Sequence, residues 1–446
     1  MVSAEEMLER LEAQWNVPLA AGIEISDRCN EVCVHCYQEQ GRKGEMTTEQ
    51  LFGVMDELAA MGVLMLTLAG GEPTLRKDFL QLCEYADAKG FALRIFTNGL
   101  TMTRELAQAL GKLAVNTVEI SLYSTNSQTH EFVTGVPGSF ERTVAGVRYL
   151  VEAGVSVKIK TPVMTLNEHE TAEYAGFAKS LGAAYCLSVE EIMPREGGDR
   201  APEMFQIAPA HAARLIGELD PRPPEAAVVP KRPLDTSPCG AGFGIHIEPN
   251  GALRPCTMLE VDFGNAVQDG VEASFVRSER ARSMRRLTWA TLHGCRECDL
   301  RSHCTHCFAA SLTQTGDALG PYRGACQFAR ATYEARTGRA PRIIARAGDA
   351  RDVGPYREIT AGVFEEVPDV LTSDDEALAE SLEWVRSSGG AVSGPGLVAR
   401  PGELVQIRRP GRKKPKLERI PTRAQPARTL QAVPENIDSE SASNAS

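Results

Sequence analysis

Between Ile23 and Leu187, short strand-like runs alternate with helical patterns, and this alternation limits the fold more than any other feature of the chain. The strand-like runs are Ile23–Ser26, Val63–Ala69, Phe91–Thr97, Thr117–Tyr123, Val155–Pro162 and Ala184–Leu187. Between the first two, TTEQLFGVMDELAAMG carries Leu51, Val54, Met55 and Leu58 on one helical face. Thr47 can cap that helix, Gln50 completes a capping box, and Gly62 supplies the stop. Further helices are expected near Phe79–Lys89, Arg104–Leu113, Phe140–Ala153 and Thr171–Leu181. Such alternation favours a parallel sheet covered by helices. The expected fold class is therefore α/β: a partial (β/α)6 barrel, open where the eight-fold barrel closes, with its chemistry at the C-terminal strand ends.

After about Arg195 the pattern breaks up into Pro- and Gly-rich sequence, then a cysteine-dense stretch from Cys239 to Cys326. The expected organisation is an N-terminal lead helix at 1–22, a barrel core at 23–225 and a small cysteine-rich domain at 226–330. A C-terminal extension of unknown fold (331–410) and a disordered tail (411–446) complete it. Within the extension, Asp374–Val385 reads as a helix and GLVARPGELVQIRR as a hairpin. The net charge of −11 argues against nucleic acid as a partner, because phosphate recognition needs a basic field. No run approaches the roughly 20 apolar residues that span a bilayer. Met1–Trp15 is acidic and amphipathic, unlike a signal peptide, so the expected compartment is the cytoplasm. Twelve cysteines in a reducing compartment point away from disulfides. Ten of them fall into spaced groups; Cys83 and Cys186 stand alone in apolar segments and read as buried core thiols.

The first group, CNEVCVHC, spaces Cys29, Cys33 and Cys36 as C-x3-C-x2-C on the loop after the first strand. Three thiolates can hold three irons of a [4Fe–4S] cube and leave the fourth open to a ligand. This loop resembles that of the radical S-adenosylmethionine (SAM) enzymes. The resemblance implies that the amino and carboxylate groups of SAM occupy the open iron. An electron from the cluster then splits the sulfonium into methionine and a 5′-deoxyadenosyl radical, which removes a hydrogen atom from substrate.

The second strand ends in Gly70-Gly71-Glu72-Pro73, which matches the family's GGEP motif. Glycine lets backbone approach the methionine moiety closely, and the carboxylate can accept from its ammonium. Thr97-Asn98-Gly99 closes the third strand as TNG does in many members, and Ser121 closes the fourth, where the resemblance implies a contact to the SAM ribose. Thr161 and Asn167, around the fifth strand, are candidate adenosine contacts. MPREGGDRAP after the sixth strand resembles a segment of peptide-modifying members; Arg195 there is either a partner of the SAM carboxylate or a solvated surface charge.

Downstream, Cys239 is followed by Cys256, then by C-x2-C-x5-C-x2-C at Cys295, Cys298, Cys304 and Cys307, then by Cys326. Paired C-x2-C units alone signal tetrahedral zinc. Seven cysteines exceed one zinc site, and the pattern resembles the SPASM extension of radical SAM enzymes, with two residues between Cys304 and Cys307 where that family usually has three. The family's crossed arrangement implies that Cys295, Cys298, Cys304 and Cys326 hold one auxiliary iron–sulfur cluster (auxiliary cluster II). Cys239, Cys256 and Cys307 would hold the nearer one (auxiliary cluster I). The fourth position of the nearer cluster is left to substrate or to a non-cysteine group, Asp235 being one choice.

The stretch VEISLYSTNSQTHEFVTGVPGSFERTVAGVRYL resembles the pyrroloquinoline quinone maturase and related enzymes. That implies maturation of a ribosomally made peptide by crosslinking or by epimerisation, the latter usually needing a hydrogen donor such as a free cysteine. The alternatives are a sulfatase-type protein maturase, for which Glu190 or Glu191 is the candidate base, and a small-molecule or tetrapyrrole-modifying enzyme. Expected partners are a peptide substrate and an external reductant such as flavodoxin or ferredoxin, with leader recognition, if any, by a separate leader-binding protein or by tail contacts. GRKKPK in the tail reads as a solvated linker.

Overall fold

Six strands, β1 (Ala20–Ser26), β2 (Met65–Gly70), β3 (Ala92–Thr97), β4 (Val115–Ser121), β5 (Val157–Pro162) and β6 (Ala184–Ser188), pair in sequence order, all parallel, in a computed structural model. The structure describes residues 18–339 and 341, except 42, 190, 220–231, 293 and 340. These belong to the unit Met1–Val398; the second unit, Ala399–Ser446, lies outside the described residues, as do Asp374–Val385, both arms of the expected hairpin and most of the lead segment.

The connections are helical where the apolar period predicts it. Helix α1 (Thr48–Ala60) buries Leu51, Val54, Met55 and Leu58. Its capping box forms as expected: Thr47 Oγ1 accepts from Gln50 N–H at 3.2 Å, and Gln50 Oε1 accepts from Thr47 N–H at 2.8 Å. Gly62 follows with φ of 90°, which a side chain would strain. Helices α2 (Phe79–Ala88), α3 (Arg104–Leu110), α4 (Ser127–Thr134), α5 (Ser139–Glu152) and α6 (Tyr174–Ser180) complete the barrel part. Leu93, Ile95, Val118, Ile120, Val157 and Ile159 face these helices and join their side chains in one buried core. Fully burying each such side chain contributes about 1.5–3 kcal/mol.

The sheet does not stop at six strands. β7 (Ile245–Ile247) adds in parallel to the free edge of β1, pairing Ala21 with Ile245 and Ile23 with Ile247. β8 (Ala252–Arg254) and β9 (Gly264–Asn265) continue antiparallel, giving the order β6-β5-β4-β3-β2-β1-β7-β8-β9. The cysteine-rich part is thus hydrogen-bonded to the barrel through one sheet. Sequence reading also left 195–238 irregular, yet α7 (Pro209–Leu219) forms there. α8 (Glu279–Arg285), α9 (Phe308–Thr315) and α10 (Arg323–Thr337) follow, and α10 packs against α7. One further expectation fails. Cys83 is buried, but Cys186 is exposed, because β6 is the outermost strand and has a neighbour on one side only. No helix among the described residues is long and apolar enough to cross a membrane.

Candidate functional site

The loop after β1 brings Cys29, Cys33 and Cys36 together. Burial raises the Cys29 thiol to about 12, with the neighbouring Cys36 adding to it. Cys33 is pushed up by burial and then by Glu31, Cys36 and Cys29. Two backbone bonds hold the loop from outside: Val32 N–H to Thr134 O and Val34 N–H to Val133 O, both 2.9 Å. These come from α4, which the sequence reading did not assign. The available signals were Asn126, whose side chain accepts from Gln128 N–H at 2.8 Å, and Gly135, left-handed at φ of 69°. Tyr123 places its hydroxyl 3.7 Å from Cys33 Sγ, and the His35 ring meets the Tyr123 ring edge-on at 4.8 Å.

Gly70 and Gly71 dock the end of β2 directly onto this loop. Gly71 N–H donates to Ser26 O and Glu72 N–H to Arg28 O, each at 2.7 Å. A Cβ on Gly70 would lie 2.2 Å from Ser26 O, and one on Gly71 2.4 Å from Arg28 O. The glycines are therefore required by backbone-to-backbone contact within the protein. Glu72 is 0% exposed. Its Oε1 accepts from Thr74 Oγ1 at 2.5 Å, Thr74 N–H at 3.1 Å and Thr97 Oγ1 at 2.7 Å, while Oε2 accepts from Asn98 N–H at 2.7 Å. Burial raises this carboxyl and those four bonds work against the rise. Pro73 is buried and opens the short 3-10 turn Pro73–Leu75. Asn98 reaches back to the cysteine loop, donating to Asn30 Oδ1 at 2.7 Å with its amide 3.8 Å from Cys29 Sγ.

The other candidates divide. Ser121 is half-buried at the C-terminal end of β4. Thr161 and Asn167 are both buried and engaged with backbone: Thr161 Oγ1 donates to Leu122 O at 2.6 Å and Asn167 Nδ2 to Tyr123 O at 2.8 Å. They brace the segment that carries Tyr123, so the structure gives them a supporting place. Arg195 is no solvated charge: its side chain is 16% exposed, it pairs with Asp199 at 3.2 Å, and Nη2 lies 3.4 Å from Val34 O on the cysteine loop. Glu190 lies outside the described residues. Glu191 turns toward the cysteine-rich part, where Gln314 and Tyr322 hydrogen-bond its carboxylate; burial raises it.

On the sheet face away from the helices, Glu119 is nearly buried among three cations. Arg94, Lys158 and Lys160 lie 3.0, 3.5 and 3.3 Å from its carboxylate. Lys160 also stands 4.5 Å from the Phe96 ring centre. Ser121, Lys160 and Cys186 are in register across β4, β5 and β6, so they share this face. The cationic group was not singled out from sequence. Its signal was the alternation of Lys158 and Lys160 with Val157 and Ile159.

The downstream cysteines separate into two sets. Cys239 is raised to about 12 by burial first, then by Cys307 and Cys256, and Cys256 also feels Cys307. Cys295 is pushed up by burial, then by Cys326, Cys304 and Cys298. Those four thiols line one cavity. Asp235 is exposed. Among the described residues no three His, Cys, Asp or Glu side chains close on a point tightly enough to hold a single metal ion.

Residues 23–178 match the Radical SAM superfamily, and residues 239–299 match SPASM, an iron–sulfur cluster-binding domain. The chain is 32% identical over 287 residues to the mycofactocin maturase MftC of Mycobacterium tuberculosis, covering 59% of this chain and 71% of that protein. It is 28% identical over 340 residues to the AdoMet-dependent heme synthase of Methanosarcina barkeri, covering 69% and 96%. In fold it resembles Streptococcus suis SuiB bound to precursor peptide SuiA, with a TM-score of 0.54 at 15% identity over 69% of this chain and 76% of that one.

Proposed function

The chain belongs to the radical SAM superfamily, with a SPASM iron–sulfur domain joined to its barrel, and from that premise we propose that it matures a ribosomally made peptide. The observation that carries the peptide reading is the 32% identity along 71% of a peptide maturase.

Cys29, Cys33 and Cys36 are the ligands we assign to the SAM-binding cluster. They are three thiols from one loop, beside the C-terminal ends of β2 and β3. Bound there, the cluster and SAM supply the electron and the adenosyl radical. The protein contributes a rigid cradle. Gly70, Gly71, Glu72 and Pro73 form the wall on one side, with Thr97 and Asn98 fixed to it through the Glu72 carboxylate. Ser121 stands on the next strand end, and Arg195 places a positive charge against the cysteine loop, suited to a carboxylate. Cys239, Cys256 and Cys307 are assigned to auxiliary cluster I, and Cys295, Cys298, Cys304 and Cys326 to auxiliary cluster II. Four thiols around one cavity, with the Cys239, Cys256 and Cys307 thiols forming a separate set, suit such groups. A cube spreads its ligands over several irons.

Arg94, Lys158 and Lys160 share the one carboxylate of Glu119, so cations outnumber acids in this group on the face below Ser121. An acidic group on the substrate suits that face. Among the outcomes open to a peptide maturase, epimerisation needs a hydrogen donor, and Cys186 offers an exposed thiol in register with Lys160. Glu191, engaged with Gln314 and Tyr322, is poorly placed as the base of a sulfatase-type maturase. A second reading keeps its own support: the 28% identity along 96% of a heme synthase favours a carboxylated tetrapyrrole as substrate. In both readings the partner that supplies electrons is an external reductant such as flavodoxin or ferredoxin. Leader recognition falls to a separate protein, and the compartment is the cytoplasm.

The test is anaerobic. Reconstituted full-length protein with SAM and dithionite should release 5′-deoxyadenosine, and Cys33→Ala should abolish that release. Candidate precursor peptides and a carboxylated tetrapyrrole are then compared by mass spectrometry. A peptide losing two hydrogens indicates crosslinking. One deuterium gained in heavy water, lost again in Cys186→Ala, indicates epimerisation. Turnover of the tetrapyrrole alone rejects the peptide reading.

A further inference from the structure

Two residues that line the cavity of auxiliary cluster II carry hydrogen-bond donors for which the described residues supply no acceptor. Cys295, Cys298, Cys304 and Cys326 line it together with Trp289 and Arg301. Trp289 is 1% exposed and Arg301 is 7% exposed. The indole Nε1–H of Trp289 and the Nε–H of Arg301 are both buried without a hydrogen-bond partner among the described residues. The Arg301 guanidinium does bond on its other side, to the carbonyl of Arg296. An unpaired buried donor is costly, and more so where the group is charged. Two such donors against one small cavity are costly unless something in that cavity accepts from them.

The acceptor has a chemical signature. An anion suits it, since an arginine lines the cavity, and the walls carry four sulfurs beside the two N–H donors. Thiolate and sulfide sulfurs of an iron–sulfur cluster meet both requirements. We infer that Trp289 and Arg301 donate N–H···S hydrogen bonds to auxiliary cluster II and raise its reduction potential. This rests on the ligand assignment proposed above. The physical reason is charge. Reduction adds an electron to a group already negative, and an apolar cavity resists that addition. Hydrogen bonds to sulfur and a nearby cation stabilise the reduced form more than the oxidised one. The pair therefore tunes the cluster without ligating it. A structural zinc site would gain nothing comparable, because its charge does not change.

The experiment is a potentiometric titration of the anaerobically reconstituted full-length chain, followed by electron paramagnetic resonance. Wild type is compared with Trp289→Phe, Arg301→Gln and Arg301→Lys, each first analysed for iron, sulfide and zinc. Trp289→Phe and Arg301→Gln should each lower the midpoint of one auxiliary signal and leave the SAM-binding cluster unmoved. For Arg301→Gln we expect at least a tenfold change in the oxidised-to-reduced ratio at fixed potential, which is about 59 mV for one electron. Arg301→Lys, which keeps the charge, should lose less. Trp289→Phe removes the N–H together with part of the indole and keeps an aromatic ring in place, so it reports even where Arg301→Gln fails to load. Midpoints unchanged in Trp289→Phe and in Arg301→Lys or Arg301→Gln, at full iron content, overturn the inference. Zinc in the four-cysteine cavity, or iron too low to fill it, overturns the ligand assignment instead.

Discussion

Gly71 lies so close to Arg28 that a β-carbon on it would sit 2.4 Å from the Arg28 carbonyl oxygen. Glu72 N–H, one residue on, donates to that same oxygen at 2.7 Å. This contact clamps the end of β2 to the cysteine loop. Gly71→Ala must push the two backbones apart, and overpacking of this kind costs about 1–3 kcal/mol. We expect a lower thermal midpoint and reduced iron at the Cys29 loop. Gly53→Ala is the control. Gly53 lies in α1 with nothing within 4 Å of the added carbon, so it should gain about 0.5–1 kcal/mol. Equal effects at both glycines would contradict the clamp.

Glu72→Gln tests the carboxylate that ties three strand-end residues together. Every partner of Glu72 is a donor: Thr74 through N–H and hydroxyl, Thr97 through its hydroxyl and Asn98 through N–H. An amide presents two N–H groups of its own to at least one of those donors, in a fully buried place. The mismatch should cost about 1–3 kcal/mol. Release of 5′-deoxyadenosine should fall at least tenfold, equivalent to about 1.4 kcal/mol in the barrier. Wild-type release with an unchanged melting temperature would show that the carboxylate is dispensable.

His130 makes the protein less stable in acid. Its ring is 0% exposed, and Nδ1 accepts from Tyr123 N–H at 3.2 Å. Burial lowers its pKa from 6.5 to about 4. Between these two values the unfolded chain binds a proton that the folded chain refuses. Stability is therefore full above pH 6.5 and falls as pH drops toward 4, by about 2 kcal/mol at pH 5. His130→Gln keeps an acceptor and removes the titration. Its thermal midpoint should drop less than that of wild type between pH 7 and pH 5; identical drops would clear His130 as the source.

Tyr322 joins the barrel to the cysteine-rich part. Its hydroxyl hydrogen-bonds Glu191, just beyond the end of β6, and accepts from Cys307 N–H at 3.3 Å. Tyr322→Phe leaves both partners short in a buried place, at about 1–3 kcal/mol. The variant should retain iron at the Cys29 loop while losing it faster from the Cys307 set under chelator. Uniform loss from all sites would argue that Tyr322 only stabilises the fold as a whole.

How much was legible follows from how local each signal is. α1 could be read to its caps, because Thr47, Gln50 and the face of Leu51, Val54, Met55 and Leu58 all act within a few residues. α4 could not, because it buries His130, Val133 and Thr134, a mostly polar set that shows no apolar stripe. α7 sits among Pro- and Gly-rich neighbours and gains its place from α10, more than a hundred residues later.

Sequence alone determined the order of the parallel strands, the placing of cysteine and glycine motifs at their C-terminal ends, and hence the class of chemistry. Periodicity, capping and motif spacing are properties of neighbouring residues, so they survive without coordinates. Only the tertiary structure decided that Gly70 and Gly71 serve a contact with the β1 loop, that Glu72 is saturated by residues up to 26 positions away, and that Cys186 is exposed. It alone brought Trp289 and Arg301 to the four-cysteine cavity. Each of these depends on which distant segments share a surface, and burial and unmet hydrogen bonds exist only once the chain has closed on itself.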